Sequence, residues 1–176
     1  LMRLPSPVRI REVGPRDGLQ VEKTVVPTET KLRWIGALCA AGLDVVQVGS
    51  FVHPEKVPQM ADTDELFRRL TAPGAERKGH ALYSGLVLNE KGLDRALACG
   101  VEMVCLGVSA SETHSRKNTG MGTAAATERI VATAKKAVEA GRKVQVSVQS
   151  AFGCGFEGHV PEERVLDIAR AYVDAG

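Results

Sequence analysis

Five short apolar segments, rich in valine, alternate with stretches of helical spacing, and this alternation constrains the fold of the chain more than any other feature. The segments are residues 8–13, 44–49, 81–87, 101–108 and 143–148. Near-continuous apolar runs of this length are typical of strands buried on both faces of a parallel sheet. Parallel strands need crossover connections, which the helical stretches between them supply. We therefore predict an α/β fold.

The helical stretches carry residues that are typical of helix boundaries. Asp62 and Glu65 have the spacing of a capping box, in which both side chains bond to the first turn of a helix. A glycine follows three of the stretches, as expected at helix ends. The predicted starts are Thr28, Asp62, Asn89, Thr123 or Thr127, and Pro161, and the predicted ends are Gly42, Gly100 and Gly141.

The order of strands and helices fits either a doubly wound sheet or part of a (β/α)8 barrel. No G-x-G-x-x-G follows the first strand, and polar residues cluster just after several strands, where a barrel keeps its active site. Five units in 176 residues take roughly 35 residues each, so eight would need about 280, near the usual barrel size. We predict that residues 1–176 are the N-terminal portion of one TIM-barrel domain, a truncated barrel with about the first five βα units and without the remaining strands.

The composition excludes several classes of protein. Hydrophobic residues make up 44% of the chain and charged residues 25%, which excludes disorder. The formal net charge is +2 with the signs interleaved, so we expect no nucleic-acid partner. No run of about 18 apolar residues and no signal peptide is present, so we expect no membrane association. The expected location is the cytoplasm, as in bacteria, or an organelle matrix after removal of a targeting segment.

The four cysteines are scattered singly, which argues against a disulfide framework or a structural zinc site. Cys39 and Cys99 fall on the apolar faces of predicted helices, where we expect buried thiols. Cys154 lies between two glycines after the fifth strand. It is the thiol that we expect to lie nearest to a site.

The ends of the first two strands carry the clearest candidates for chemistry. Asp17 is a hard oxygen ligand for a divalent metal, and Arg16 beside it is a cation that can stabilise an oxyanion. Alternatively, R-D-G is a solvated turn with a local ion pair. Alternation along the second strand points Gln47 into the barrel, where it either bonds next to Arg16 or is simply a satisfied buried amide.

The loops after the later strands carry weaker signals. Asn89 and Lys91 place an amide and an ammonium at a predicted helix start, where a phosphate or carboxylate of a substrate can dock. The polar residues 109–118 and 149–158 follow the fourth and fifth strands. Taken individually, these two segments are best explained as surface crossover loops.

Together these segments resemble the 3-hydroxy-3-methylglutaryl-CoA (HMG-CoA) lyase family, which are metal-dependent enzymes with a TIM-barrel catalytic domain. Two specific motifs carry the resemblance: E-V-G-P-R-D-G-L-Q at residues 12–20, and S-F-V at 50–52 with V-P-Q-M-A-D at 57–62. Supporting matches lie in residues 89–92, 109–118 and 153–158. The matches cover nearly the whole chain in order.

The resemblance implies a carbon–carbon lyase that cleaves HMG-CoA, or a related 3-hydroxyacyl-CoA, to acetyl-CoA and a 3-oxo acid such as acetoacetate. The reaction is a metal-assisted retro-Claisen cleavage with Mg²⁺ or Mn²⁺, in leucine degradation and ketone body metabolism, and we expect a homo-oligomer, a dimer. The implied catalytic residues are Arg16, Asp17 and Gln47, with Asp17 as a metal ligand. The implied acyl-CoA-binding residues are Arg16, Gln20, Ser50, Asn89 and Lys91.

This chain departs from the family pattern in two ways. Gln47 stands where the family typically has a glutamate, and an amide keeps the shape but loses the charge, so we expect a related acyl-CoA substrate or a slow lyase. The family's metal-binding H-x-H and Asn and its catalytic Cys come from later strands, and none is assignable here. Asp17 alone does not make a metal site, so we expect residues 1–176 by themselves to be inactive.

Two alternatives remain at the level of sequence. One is a Claisen condensing enzyme of the isopropylmalate or homocitrate synthase type, which shares an R-D-G turn on the first strand. Such enzymes usually read D-T-T-L-R-D-G-E-Q, whereas Glu12-Val-Gly-Pro precedes Arg16 here and Leu19 follows the glycine. The other alternative is a non-catalytic partial barrel that binds an acyl-CoA.

Overall fold

The computed structural model describes residues 8–176, which form two compact units. Unit 1 comprises residues 8–86 together with Ala98–Glu102, and unit 2 comprises Val87–Leu97 and Met103–Gly176. Both units are built from parallel strands joined by helices. The predicted α/β class is confirmed.

Unit 1 holds three parallel strands in the order β1-β2-β3. The register pairs Arg11 with Val45 and Val45 with Leu82, and a bulge interrupts β2 between Gln47 and Gly49. The elements are β1 (Arg11–Glu12), a π-helical turn (Gly14–Gly18), α1 (Thr28–Ala40), β2 (Val45–Ser50), a 3₁₀ turn (Pro58–Met60), α2 (Thr63–Thr71) and β3 (Leu82–Leu86).

Unit 2 is built on two parallel strands whose register runs unbroken from Met103 opposite Lys143 to Ser109 opposite Gln149. A two-residue antiparallel hairpin follows them. The elements are α3 (Glu90–Ala98, whose last residue falls in unit 1), β4 (Met103–Ser109), α4 (Glu112–Thr119), α5 (Thr123–Glu139), β5 (Lys143–Gln149), β6 (Gly153–Cys154), β7 (Gly158–His159) and α6 (Glu162–Asp174).

The core of unit 1 lies around β2, all of whose six residues are buried. Phe51 just after this strand packs against Phe67 of α2, with ring centroids 5.2 Å apart. The packing is so close that a Cβ added at Gly85 would lie 2.7 Å from the Phe51 ring. Apolar side chains from both helices and strands therefore fix the ends of β2, as the valine-rich segment predicts.

Most of the predicted helix boundaries are confirmed. The fourth predicted helix begins at Thr123 rather than at Thr127. The glycines predicted to end helices, Gly42, Gly100 and Gly141, have φ values of 83°, 75° and 72°, which glycine adopts without steric cost. None of the helices within residues 8–176 has the length and apolar character needed to cross a bilayer.

Three local predictions are wrong. The first strand is two residues long instead of spanning 8–13, and at its C-terminal end the chain enters the π-helical turn at Gly14, where Pro15 has no N–H for a ladder. Residues 112–119, interpreted as part of a loop, form α4. The capping box is absent, because the Asp62 side chain makes no cap bond to α2 and its carboxylate instead accepts hydrogen bonds from Lys31 and Thr28.

Candidate active site

The R-D-G motif occupies the π-helical turn directly after β1. The carbonyl of Val13 accepts hydrogen bonds from the backbone N–H groups of Arg16 (3.0 Å) and Asp17 (2.7 Å). Pro15 lies in the first turn, where its missing N–H costs no hydrogen bond. These backbone hydrogen bonds fix the conformation of the motif independently of its side chains.

Arg16 is tethered by two side chains. Its Nε donates to Oε1 of Gln47 at 2.6 Å, and its Nη1 donates to Oδ1 of Asp17 at 2.6 Å. The Arg16 side chain is 17% exposed, whereas Gln47 is 5% exposed. Nη2 has no protein partner among residues 8–176. The guanidinium is therefore held in one orientation with a donor left for a bound anion.

The structure thus brings together the three predicted catalytic residues, Arg16, Asp17 and Gln47. Both sequence interpretations of the R-D-G turn describe part of the geometry, because a local ion pair and a bond to Gln47 are both present. The formal charges of Arg16 and Asp17 cancel, and the Gln47 amide is neutral. The cluster therefore carries no net charge.

Gln20 and Ser50 contain buried oxygen atoms that have no hydrogen-bond partner within the described part of the chain. Ser50 ends β2 and is fully buried, and its backbone N–H donates to Oγ1 of Thr63 at 3.2 Å. Buried polar groups are paired in most proteins, so each unpaired oxygen calls for an explanation. A bound polar ligand is one way to satisfy them, but each oxygen is enclosed as the chain stands.

The predicted metal ligand, Asp17, lies at the surface. Its side chain is 61% exposed, and Oδ1 is already engaged by Arg16. Across residues 8–176, no group of three or more His, Cys, Asp and Glu side chains is arranged to hold a metal ion. The described residues therefore do not form a metal site by themselves.

In unit 2, Asn89 directly precedes α3 and caps it, as predicted. Its Oδ1 accepts a hydrogen bond from the backbone N–H of Gly92 at 2.9 Å, so the amide oxygen caps the helix. Lys91, in the first turn of that helix, is exposed to solvent. The ammonium is thus accessible to an anionic ligand, while the amide oxygen is already engaged.

Cys154 lies in the loop after β5 and is partly exposed. Its Sγ accepts a hydrogen bond from the backbone N–H of Phe156 at 3.4 Å. Hydrogen bonding from the side chain of Ser111, with a second contribution from the Phe156 N–H, lowers the pKa of the Cys154 thiol. This thiol is therefore more readily ionised than an ordinary one.

A second cluster, at the N-terminus of α4, was missed at the level of sequence. Glu157 accepts hydrogen bonds from the backbone N–H groups of Thr113 (2.6 Å) and Glu112 (3.2 Å), and these bonds lower its pKa. Ser111 caps the same helix by accepting from His114 N–H. The signal in the sequence was Ser111 at an N-cap position and Gly120 after the last turn.

Two grooves adjoin these clusters, one in each unit: Gly14 and Pro15 of the π-helical turn line the groove in unit 1, and Glu112 at the start of α4 lines the groove in unit 2. The larger, of about 570 Å³, is formed by helices of unit 2, and the smaller, of about 440 Å³, lies beside α1 in unit 1. Neither is lined by Arg16, Asp17 or Gln47. The apolar lining is provided by Ala124, Val131, Ile168 and Ala171 in unit 2 and by Pro15, Leu19, Trp34, Ala37 and Leu38 in unit 1.

Comparison with known proteins gives a consistent picture. The chain is 37% identical over 175 residues to the hydroxymethylglutaryl-CoA lyase YngG of Bacillus subtilis, covering 99% of this chain and 57% of that protein. It is 39% identical over 179 residues to a 3-hydroxy-3-isohexenylglutaryl-CoA/hydroxymethylglutaryl-CoA lyase of Pseudomonas aeruginosa, with the same coverage. The human mitochondrial hydroxymethylglutaryl-CoA lyase is 36% identical, covering 98% of this chain and 52% of that protein.

Solved structures agree. The B. subtilis HMG-CoA lyase matches with a TM-score of 0.91 and 36% identity, covering 99% of this chain and 57% of that one. An HMG-CoA lyase from Acinetobacter baumannii, in complex with coenzyme A and 3-methylmalate, matches with a TM-score of 0.86 and 33% identity over 96% of this chain and 53% of that one. The chain spans about half the length of the relatives it matches.

These matches confirm the predicted fold class, about the first five βα units of a TIM barrel. They also confirm the resemblance inferred from the two specific motifs. The family model described as HMGL-like matches residues 7–176. The chain therefore belongs to the HMGL-like family.

Proposed function

We propose that this protein is a carbon–carbon lyase that cleaves HMG-CoA, or a related 3-hydroxyacyl-CoA, to acetyl-CoA and a 3-oxo acid such as acetoacetate. The observation that carries the proposal is the tethered guanidinium of Arg16, in a chain 37–39% identical to lyases of this specificity. Leucine degradation and ketone body metabolism are the corresponding processes. The cleavage releases an enolate, and a fixed guanidinium such as that of Arg16 can stabilise this anion as it forms.

The reaction is a retro-Claisen cleavage. The tertiary hydroxyl of the substrate loses its proton, its carbon becomes the carbonyl of the 3-oxo acid, and the bond to the acetyl unit breaks. The electron pair of that bond moves into the acetyl-CoA thioester, which leaves as an enolate and is then protonated. Arg16 is proposed to bind the thioester oxygen through Nη2 as negative charge develops there. The bonds to Gln47 and Asp17 hold this donor in place before the charge appears.

Enzymes of the HMGL-like family are generally dependent on a divalent metal. We propose Mg²⁺ or Mn²⁺ as the ion and Asp17 as one oxygen ligand, because hard cations prefer carboxylate oxygen. Asp17 does not hold an ion alone, and it belongs to no group of three or more His, Cys, Asp and Glu side chains in residues 8–176 that could hold one. The proposed role of Arg16 does not require the metal ligands to be known, because its orientation is set by Gln47 and Asp17.

The proposed partner is an acyl-CoA. The solved A. baumannii relative contains coenzyme A and 3-methylmalate, which supports a thioester substrate here. Gln20 and Ser50 are proposed to contact the acyl portion through their unpaired oxygens once the segments that enclose these oxygens open. Asn89 and Lys91 are proposed to bind an anionic group of the substrate, with Lys91 supplying the charge.

Gln47 bears on the choice of substrate and on the rate. As an amide it orients Arg16 but accepts no proton from the substrate hydroxyl. We therefore propose that the enzyme either acts slowly on HMG-CoA or prefers a related 3-hydroxyacyl-CoA. The isohexenyl specificity named for the P. aeruginosa relative illustrates such a variation of the acyl group.

The alternatives gain no support. The relatives reported above are cleaving enzymes, and nothing favours a Claisen condensing enzyme or a non-catalytic acyl-CoA-binding barrel. A dimeric assembly and a bacterial-type cytoplasmic location stay part of the proposal. The expectation that residues 1–176 by themselves are inactive also stays a prediction.

The test is an assay of the full-length protein with HMG-CoA in the presence of Mg²⁺ or Mn²⁺. The expected result is equimolar acetyl-CoA and acetoacetate, without net hydrolysis of the thioester. A parallel assay supplies acetyl-CoA and a 2-oxo acid, from which a condensing enzyme would release free coenzyme A. The proposal fails if neither HMG-CoA nor longer 3-hydroxyacyl homologues are cleaved by a protein that is folded and binds the metal.

A further inference from the structure

Lys31 on α1 is a buried cation that the proposed chemistry does not use. Its side chain is 1% exposed, and its Nζ donates to the backbone carbonyl of Gln59 and to Oδ1 of Asp62, both at 2.6 Å. A buried ammonium is costly unless it is paired and hydrogen-bonded. An apolar side chain would fill the same space without that cost, so the contacts themselves need an explanation.

The first contact leads to the segment that follows the R-D-G motif. Lys31 holds the carbonyl of Gln59, and the side chain of Gln59 reaches the other way, donating from Nε2 to the carbonyl of Glu22 at 2.7 Å. Glu22 lies four residues after Gly18 and two after Gln20. Lys31 is thereby connected to the backbone that carries a proposed substrate contact.

The second contact leads to the end of β2. Asp62 accepts from Lys31 through Oδ1 and from Thr28 through Oδ2 (2.9 Å), so its carboxylate is fastened to α1. The next residue, Thr63, donates to the carbonyl of Met60 at 2.8 Å and accepts from the backbone N–H of Ser50. The same buried cation is thus connected to Ser50.

We propose that Lys31 is a positioning residue for the active site, and this inference rests on the proposed function. Its ammonium fastens residues 58–62, which we name the brace turn, to α1. Through Gln59 and Thr63 the brace turn then fixes the two strand-end segments that carry Gln20 and Ser50. The V-P-Q-M-A-D motif, to which the chemistry assigns no role, forms this turn.

The direction of the Asp62 carboxylate supports a positioning role. Asp62 sits at the N-cap of α2, where an aspartate usually bonds to the helix N–H groups, yet it makes no such bond. Its oxygens instead accept hydrogen bonds from Lys31 and Thr28. Helix α2 therefore lacks the stabilisation that a capping bond would provide, and Asp62 instead connects the brace turn to α1.

The experiment compares three variants of the full-length protein. Lys31→Met removes the cation, and Lys31→Met/Asp62→Leu removes both charges, which avoids an unpaired buried carboxylate. Thr71→Val is the matched control, because its partly buried hydroxyl bonds to the carbonyls of Phe67 and Cys99, away from the brace turn. Each variant is measured for melting temperature, amide hydrogen exchange and HMG-CoA kinetics.

Exchange of the amides in residues 19–22 is expected to rise at least about tenfold in both Lys31 variants and to stay unchanged in Thr71→Val. The value of kcat/KM is expected to fall on the order of 100-fold in both, because small misplacements cost that much. Unchanged exchange in residues 19–22 would overturn the proposal. So would full recovery of kcat/KM in the double variant, or an equal loss in Thr71→Val at the same melting temperature.

The exchange measurement also separates this inference from the proposed function. If the wild-type protein cleaves no 3-hydroxyacyl-CoA, the proposed function fails, while exchange still reports whether Lys31 fixes residues 19–22. If the wild type is active and exchange rises without any change in kcat/KM, the lyase activity stands and the positioning role of Lys31 is refuted.

Discussion

Strands β2 and β5 have similar valine-rich sequences, but their environments differ. All six residues of β2 are buried, whereas β5 has exposed residues at Lys143 and Ser147 and is otherwise half-buried. β2 pairs with a strand on each side within unit 1, while β5 pairs with β4 in unit 2 and has no strand on its other edge among the described residues of that unit. Neighbouring elements, more than the strand's own sequence, decide how completely a strand is buried.

The ends of the two strands differ in the same way. In the C-terminal half of β2, side chains fix the geometry: Gln47 accepts a hydrogen bond from Arg16, and Thr63 accepts one from the backbone N–H of Ser50. After β5, the backbone bends through positive φ at Ser150 (51°) and Phe152 (68°), which is unfavourable for residues other than glycine. The β2 end is therefore preorganised by a buried network, and the β5 end by a strained, exposed loop.

The largest expected effect comes from removing the guanidinium at the β2 end. Arg16→Met keeps much of the aliphatic stem but removes the donor for the developing enolate, so kcat/KM for HMG-CoA should fall about 10³-fold. Arg164→Met is the matched control in unit 2, where the guanidinium donates to the carbonyl of Ala110. Steady-state kinetics of both variants check this. If Arg164→Met lost as much kcat/KM as Arg16→Met, the guanidinium at the β2 end would have no special role in the reaction.

The next effect concerns the thiols of the two regions. Cys154 is partly exposed and has a lowered pKa, whereas Cys39 in unit 1 is 1% exposed and burial raises its pKa. Because the thiolate is the nucleophile, iodoacetamide at pH 7 should modify Cys154 about 100-fold faster than Cys39. Peptide mass spectrometry over time measures both rates in one sample.

Ser111→Ala provides the control for the thiol prediction. The Ser111 side chain makes the largest contribution to lowering the pKa of Cys154, so its removal should slow the modification of Cys154 and leave that of Cys39 unchanged. Similar rates at Cys154 and Cys39 in the wild type would contradict the contrast drawn between the two regions.

A smaller effect is expected from giving the β2 end a charge. Gln47→Glu places a carboxylate on Nε of Arg16, where it pairs with the guanidinium and is able to take up a proton. We expect kcat for HMG-CoA to rise about tenfold, less than the usual general-base effect of about 10²-fold or more, because pairing with the guanidinium makes the carboxylate a weaker base. Gln149→Glu at the end of β5 is the matched control. If Gln47→Glu leaves the rate unchanged, the amide does not limit turnover.

The sequence predicted the centre of the candidate site because two simple rules converge there. Parallel neighbouring strands place their carboxyl ends together, and alternation along β2 turns Gln47 inward, so a bond to Arg16 was among the expected outcomes. The structure places Nε and Oε1 2.6 Å apart. Short-range periodicity and topology were sufficient for this part.

The brace turn and α4 were beyond such rules. Lys31 and Asp62 are 31 residues apart in the chain, and the Asp62–Glu65 spacing suggested a local cap that competes with the long-range ion pair. Helix α4 buries only Ser115 and so has no apolar periodicity to indicate a helix. It is stabilised by its caps, one of which, Glu157, lies 44 residues from Thr113.

The smallest expected effect is a pH dependence of the cap that Glu157, in the hairpin after β5, provides for α4. The bond from Arg16 to Gln47 at the β2 end involves an amide, which does not titrate. The Thr113 N–H lowers the pKa of Glu157 below its ordinary 4.5. A carboxyl group with a lowered pKa stabilises the folded state above its unfolded pKa, and that contribution disappears as the pH falls through the folded value.

We therefore expect the protection of the Thr113 amide against hydrogen exchange, corrected for intrinsic rates, to drop roughly two- to fivefold between pH 6 and pH 3. The Gly92 amide, capped by the non-titrating Asn89, is the internal control. In Glu157→Gln the pH dependence at Thr113 should vanish. At Thr123 it should persist, because that amide bonds to Glu112, whose pKa the same bond lowers. A loss of protection at Gly92 equal to that at Thr113 would show instead that acid loosens unit 2 as a whole.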